Sequence, residues 1–342
     1  MQVHKLGVIL SKRDLNFEIE GVLNPAVIFA NDFIHMFYRA VAADNYSSIG
    51  YCCFDTNLQI KSQSNIPILV PESDFEQHGI EDPRIVKIED IYYLTYTAYD
   101  GINALGALAI SNNLIDFEKR GIIVPQISYF EFSRQTIKNK NLGDKYHRYN
   151  FHDGLEYIDN KKVLVWDKNI VLFPRKINGQ FVFLHRIRPD IQIGFVDEIE
   201  NLNGSYWEEY MNQFDQHIVL KPKYPHESSY IGAGCPPIET KQGWLLIYHG
   251  VQDSINGYIY SACAALLDIK NPSIVLSRLK IPLFTPQSDY ETIGIVNNVC
   301  FPTGTYLDEN DLYIFYGAAD ERIATVSVNI ESLIAELLEN KE

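Results

Sequence analysis

The chain has 342 residues, 46% of them hydrophobic, which is enough to fill a large core and excludes global disorder. With 29 basic and 44 acidic residues its net charge is −15, which opposes binding to nucleic-acid phosphates or anionic lipid. No apolar run approaches the roughly 20 residues needed to span a bilayer.

The N-terminal apolar stretch Leu6–Leu10 is too short for a signal peptide, and a reduced, cytoplasmic setting is expected. The five cysteines (Cys52, Cys53, Cys235, Cys263, Cys300) are odd in number and lack CxxC spacing, which fits neither a disulfide framework nor a zinc site. Aromatic residues make up 13% of the chain, chiefly Tyr and Phe. These residues favour strands, and their faces also suit sugar rings.

One pattern recurs five times: a polar or aromatic residue, Pro, a β-type run, a turn and a second strand. The first copy runs from Asn24-Pro25 through the turn Ala30-Asn31-Asp32 into Phe33–Ala40. The second runs from Asp82-Pro83 through Ile88-Glu89-Asp90 into Ile91–Ala98. The third starts at Phe173-Pro174, turns at Asn178-Gly179 and continues through Gln180–Arg186. The fourth starts at Pro236-Pro237, turns at Lys241-Gln242-Gly243 and continues through Trp244–Gly250. The fifth starts at Phe301-Pro302, turns at Asp308-Glu309-Asn310 and continues through Leu312–Asp320. Third strands follow at Ser48–Phe54 and Ala104–Ile110. These are hairpins, and five copies predict an all-β fold: a single five-bladed β-propeller spanning residues 1–342. A generic β-sandwich is the alternative.

An insertion over about 127–165 lengthens the second interval, with Lys138–Asn141 and Tyr146–Tyr149 inside it. It is expected as a surface excursion, an oligomer contact or a substrate lid. Ser205–Phe214 and a short C-terminal segment, about 330–340, are predicted as packing helices. The second is capped by Asn329 and presents Ile330, Leu333, Ile334, Leu337 and Leu338 on one face.

In a propeller the starts of the repeats converge at one rim. That brings Asn24, Asp82, Arg84, Lys168, Asn169 and Tyr230 towards the strand-end residues Arg39, Arg186, His249 and Asp320. Asp82, in Gly79-Ile80-Glu81-Asp82-Pro83-Arg84, is the leading acid, with Arg84 close enough in sequence to depress its pKa. Asp before Pro also caps turns, so residue type alone leaves both roles open. A carboxylate supplies a proton for glycosidic cleavage. The cations around it make a poor base but a good cradle for an anionic nucleophile, unless they are merely salt-bridged.

Together with Leu172–Gly179, Leu184-His185-Arg186, Ile231–Ile238, Trp244–Gly250 and Tyr316–Asp320, the Asp82 motif resembles glycoside hydrolase family 130 over nearly the whole chain. The resemblance implies a five-bladed propeller acting on β-mannosides. It implies Asp82 as the catalytic acid, its proton relayed through a hydroxyl of the mannosyl ring, and Asn24, Arg39 and Asp320 as residues that hold that ring, with Arg84 also expected to bind substrate. It places Lys168, Asn169, Arg186, His249 and Tyr260 where phosphorylases hold phosphate, with Lys168 where Arg is more usual. Two positions depart from the pattern. Tyr230, also expected on the phosphate side, stands where many phosphorylases carry Lys, and Arg175 replaces the usual Glu.

The expected activity is inverting phosphorolysis of β-mannosides by inorganic phosphate, giving α-mannose 1-phosphate. The alternatives are an inverting β-mannosidase using Glu227 as base and a non-catalytic sugar-binding propeller. Phosphate is expected as co-substrate, with no metal or organic cofactor. The expected partner is a β-mannoside oligosaccharide rather than nucleic acid or membrane, with room for a homo-oligomer.

Overall fold

Runs of β-forming residues close into antiparallel hairpins wherever Asn, Asp or Gly supplies the turn. Asn31 and Asp32 adopt φ of 50° and 65°, and Asn178 and Gly179 adopt 52° and 86°, the left-handed values that tight hairpin turns require. The computed structural model describes residues 1–137, 142–148, 156–158 and 160–340.

The N-terminal strand is β1 (Val3–Leu10). A first sheet follows: β2 (Gly21–Ala30), β3 (Phe33–Val41), β4 (Ser47–Phe54) and β5 (Ile60–Gln63). A second comprises β6 (Gly79–Ile88), β7 (Ile91–Tyr99), β8 (Ala104–Ser111) and β9 (Glu118–Ile122), joined to the first by the parallel pair Ser47–Gly79. Then come α1 (Tyr129–Thr136), α2 (Lys145–Arg148) and the short pair β10 (Tyr157–Ile158) and β11 (Lys161–Lys162). The third sheet holds β12 (Lys168–Leu172), β13 (Phe181–Arg186), β14 (Ile191–Val196) and, after α3 (Gly204–Asn212), β15 (Ile218–Leu220). In the fourth, β16 (Tyr230–Ala233) and β17 (Ile238–Thr240) both pair with β18 (Gly243–Ser254), followed by β19 (Gly257–Leu267) and β20 (Val275–Arg278). After α4 (Asp289–Thr292), the fifth sheet holds β21 (Cys300–Asp308), β22 (Asp311–Ala318) and β23 (Arg322–Asn329), and α5 (Ile330–Glu339) ends the described chain. β1 pairs with β23, so the first strand completes the last sheet. The chain is mostly β.

Five apolar clusters lie between consecutive sheets. Phe37 and Ile49 meet Ile85 and Leu94 between the first and second sheets. Leu105 and Leu108 meet Ile170 and Phe183 between the second and third. Val171 and Leu184 meet Ile231 and Trp244 between the third and fourth. Leu245 and Ala264 meet Leu312 and Ile314 between the fourth and fifth. Val22 and Ile34 meet Phe315 and Ile323 between the fifth and first. Each sheet is therefore covered on both faces. This is why middle strands such as Trp244–Val251 read as continuous apolar runs, while the edge strand β1 alternates.

A buried polar triad recurs behind these strands. A fully buried Glu accepts from a middle-strand Tyr hydroxyl at 2.7 Å in four sheets: Glu18–Tyr38, Glu76–Tyr96, Glu227–Tyr248 and Glu291–Tyr316. A cation completes each: Arg13, Lys119, Arg278 and Lys5 respectively. In the third sheet His185 occupies the strand position, bonded to Asp167 and Tyr210 at 2.7 Å each. The residues one step further along are Arg39, Thr97, Arg186, His249 and Gly317. Because successive strand residues face opposite sides, each structural triad sets the next side chain towards the other side.

Both predicted helices form. α3 begins at Gly204 rather than Ser205 because the Asn203 side chain accepts from the Ser205 and Tyr206 amides. α5 is capped by Asn329, which accepts from Ser332 N, and buries Ile330, Leu333, Ile334 and Leu337; Leu338, expected on that face, is exposed. The described part of the insertion is anchored. Phe132 and Tyr146 pack edge-on against Phe214 at centroid distances of 5.2 and 5.4 Å, and the Tyr146 hydroxyl donates to Asp190 at 2.8 Å. Lys138–Asn141 and Tyr149 lie outside the described residues. All five cysteines are buried and none is in a disulfide. Among the described residues no helix is long and apolar enough to cross a membrane.

Candidate active site

The first strand of a repeat does not pair evenly with its neighbour. β2 shifts register between Leu23 and Ala26, β6 between Glu81 and Arg84, and β12 between Lys168 and Val171. At each bulge one residue takes positive φ: Asn24 at 49°, Asp82 at 49° and Asn169 at 56°. Asn and Asp tolerate this conformation best among residues with a side chain, and Pro at 25 and 83 is accepted where the ladder is already broken. A bulge re-aims a side chain. Here three bulges deliver Asn24, Asp82 and Asn169 to the wall of one cavity of about 150 Å³.

Arg39, Lys168, Arg186, Tyr230, Tyr260 and Asp320 line the same cavity, so nine of the residues singled out in the sequence are brought together. The Asn24 side-chain amide donates to Asp82 Oδ1 at 2.7 Å, and Arg39 Nη1 lies 3.9 Å from the same oxygen. Asn24 fits because Gly317 has no side chain: a Cβ there would stand 2.1 Å from Asn24 Oδ1. Burial pushes the Asp82 carboxyl up. Arg39, Lys168, Arg84 and the Asn24 amide outweigh burial and hold it below its ordinary value. Asp320, in the turn after β22, goes the other way. Burial raises it to about 6, Asp82 and Glu81 add to the rise, and Arg39 and Lys168 oppose it. Two carboxyls in one cavity are thus pushed apart, an arrangement associated with acid–base sites.

Glu81 stands beside Asp82 and was not anticipated. It bridges Arg39 Nη2 at 2.9 Å and Lys168 Nζ at 3.1 Å. Its signal in the sequence was adjacency to the Asp-Pro bulge. Also in the lining, the Arg186 guanidinium lies 5.1 Å from the Tyr230 ring centroid, and the Tyr230 and Tyr260 hydroxyls are 2.6 Å apart. Burial lowers Arg186 to about 10, and Arg188 nearby contributes. Two buried atoms of the lining, Asn24 Oδ1 and Arg186 Nε, have no protein partner among the described residues.

A larger cavity of about 450 Å³ adjoins the first, sharing Arg39, Lys168 and Asp320 with it. Tyr99 and Trp166 form part of its wall, edge to face at 6.4 Å between centroids, with Ile295 and Val296 also lining it.

Three of the residues singled out, Arg84, His249 and Glu227, do not line this cavity. Arg84 is buried behind the bulge. Its Nε donates to Gly234 O at 2.6 Å and its Nη1 to Asp82 O at 2.8 Å, so it fixes the backbone of Asp82 rather than lining the cavity. Burial lowers it to about 10. His249 is fully buried in contact with Gly232, where a Cβ would come within 2.5 Å of the ring and 3.1 Å of Arg186 Cδ. Burial, then Arg186, Arg84 and Arg188, hold it well below its ordinary pKa, and its ring centroid lies 4.4 Å from that of Phe301 in the cavity lining. Arg175 lies on the surface, bidentate to Glu239 at 2.7 Å on both bonds, and its departure from the family pattern leaves the cavity untouched. Glu227, the expected base for a hydrolase, is corrected: it is fully buried away from the cavity. Its oxygens are occupied by Tyr248, Arg278 Nη2 at 2.6 Å and the Lys223 amide at 2.8 Å. It belongs to the repeated structural triad.

Comparison with known proteins gives a consistent picture. Residues 12–339 match the model of glycoside hydrolase family 130, described as beta-1,4-mannooligosaccharide phosphorylase. A 1,2-beta-oligomannan phosphorylase of Thermoanaerobacter sp. (strain X514) is 32% identical over 340 residues, covering 95% of this chain and 96% of that one. A beta-1,2-mannobiose phosphorylase of the same organism is 32% identical over 336 residues, 94% of each chain. Among solved structures, the beta-1,2-mannobiose phosphorylase from Listeria innocua superposes with a TM-score of 0.72 at 21% identity, covering 98% of this chain and 99% of that one.

Proposed function

The chain belongs to glycoside hydrolase family 130, and on that premise we propose that it is an inverting phosphorylase of β-mannosides, releasing α-mannose 1-phosphate. The observation that carries this is one small cavity lined by an acid, Asp82, together with Lys168, Asn169 and Arg186. The five sheets are read as the blades of one five-bladed propeller domain. The cycle of apolar clusters and the closure of the last sheet by β1 support that reading.

In the proposed reaction the mannosyl ring lies against Asn24, Arg39 and Asp320. Phosphate, held by Lys168, Asn169, Arg186 and Tyr260, attacks the anomeric carbon as the bond to the leaving oxygen breaks on the opposite face. The proton carried in by hydrogen phosphate balances the one the leaving oxygen gains, and Asp82 is the group that passes it on. In the free protein Asp82 is held ionised by the surrounding cations; a bound phosphate dianion offsets them and raises its proton affinity. The departing sugar occupies the larger cavity, where Tyr99 and Trp166 offer aromatic surface to its C–H face. The β-1,2 linkage is the favoured substrate bond, following the two relatives matched over nearly their full length. No metal or organic cofactor enters this scheme. Its product keeps the bond energy in a sugar phosphate, which suits a cytoplasmic enzyme. Hydrolysis is disfavoured because Glu227, the base it would need, is already engaged by Arg278.

The test is incubation with β-1,2- and β-1,4-mannobiose, with and without phosphate. Mannose 1-phosphate formed only with phosphate, and faster from the 1,2-linked sugar, is the expected result; free mannose formed equally in both would overturn it. A pH profile tests the role of Asp320. Ionised, it accepts hydrogen bonds from sugar hydroxyls; protonated, it loses the charge-assisted part of them. Because kcat/KM reports the free enzyme, it should fall as the pH drops through about 6. D320N should be weak throughout and lack that limb.

A further inference from the structure

We infer that Arg188 is a phosphate-binding residue that sets the preference for a phosphate dianion over water as nucleophile, an inference that rests on the phosphorylase reading. Arg188 lies in the connection after β13 and lines the inner cavity with Arg186, Tyr230, Tyr260 and Asp82. Its guanidinium sits 3.9 Å from the Tyr230 ring centroid, and Nη2 donates to the Tyr230 hydroxyl at 3.1 Å. That hydroxyl in turn meets Tyr260 at 2.6 Å. Tyr230 is thus the platform that fixes Arg188, through ring stacking and one hydrogen bond. Guanidinium has five N–H donors in a planar fork, and only one is used here among the described residues.

The charge balance of the cavity is uneven. Arg39 and Lys168 share Glu81, and Arg39 also reaches Asp82. Arg186 and Arg188 have no carboxylate within 4.0 Å among the described residues, although the chain holds 44 acidic residues. Two neighbouring guanidinium groups repel, and Arg186 is lowered first by burial and then by Arg188. Hydrogen phosphate carries two negative charges and three oxygens able to accept from forked donors, which matches the pair. Water, being neutral, would gain nothing from a second guanidinium. The other role open to Arg188 is as a prop for the Tyr230 ring, and kinetics separate the two.

The experiment measures phosphorolysis of β-1,2-mannobiose by wild type, R188Q and R188K over a range of phosphate, with phosphate binding to each sugar-free protein by calorimetry. R188Q is expected to raise KM for phosphate about 10- to 100-fold and weaken direct phosphate binding in parallel, with KM for the mannoside within about twofold of wild type. R188K should lie between them, retaining charge but losing the fork. If R188Q does not fold, R188K alone carries the test: a raised phosphate KM with an unchanged mannoside KM supports the inference. An unchanged phosphate KM in a folded variant overturns it, whatever happens to the mannoside KM. Wild type turning over without phosphate dependence would instead overturn the phosphorylase reading, and this inference with it.

Discussion

Replacing Asp82 by Asn is expected to lower kcat on a β-mannoside by about 10²- to 10⁴-fold, the usual contribution of a positioned acid. Asn is the informative substitution because Asp82 sits at φ 49°, a conformation Asn accepts, so the bulge survives. The neighbours that anchor it, Arg84 Nη1 at 2.8 Å from its backbone oxygen and Asn24 at 2.7 Å from its side chain, do not depend on a protonated carboxyl. Substrate affinity, measured by calorimetry, should change only a few-fold. An aryl mannoside whose leaving group needs no proton should lose far less rate than the natural sugar. Equal losses on both substrates would show that Asp82 positions the ring rather than protonating the leaving oxygen. Unchanged turnover would remove it from the reaction.

Glu227→Ala should destabilise the fold by about 3–5 kcal/mol, seen as a lowered midpoint in chemical denaturation. The reason is the geometry around the carboxylate. It is fully buried and accepts from Tyr248 at 2.7 Å, Arg278 at 2.6 Å and two backbone amides, so its removal leaves a buried guanidinium and a buried hydroxyl without their acceptor. Any activity lost should track unfolding and return at low temperature. Glu227→Gln, retaining a carbonyl oxygen but not the charge, should fall between. A variant that is fully stable yet loses a hydrolytic activity would restore Glu227 as a base and overturn the structural assignment.

Glu227 also shows where sequence reading reaches its limit. It lies close to Tyr230 along the chain, which made it look like part of the site. What identifies its role is a repeat: a Glu some 20 residues before a strand Tyr, as in Glu18–Tyr38, Glu76–Tyr96 and Glu227–Tyr248. That spacing was present in the sequence, but its meaning depends on an intervening chain that returns the Glu beside the Tyr. Arg188 and Glu81 likewise lie two residues and one residue from residues already singled out, Arg186 and Asp82. Nothing local distinguished a side chain that faces the cavity from one that faces solvent.

The sequence alone determined the elements. Alternating and continuous apolar runs specify strands, Asn, Asp and Gly specify the turns between them, and Asn-Pro and Asp-Pro mark the bulges where Asn24 and Asp82 leave the ladder. These are short-range effects, set by φ/ψ preferences within a few residues. Tertiary structure decided which charges meet. Arg39 finds Glu81, Lys168 crosses to the same carboxylate, and Arg84 reaches Gly234, 150 positions away in the chain. Electrostatic partnership depends on distance through space and on burial, and neither exists until the sheets pack.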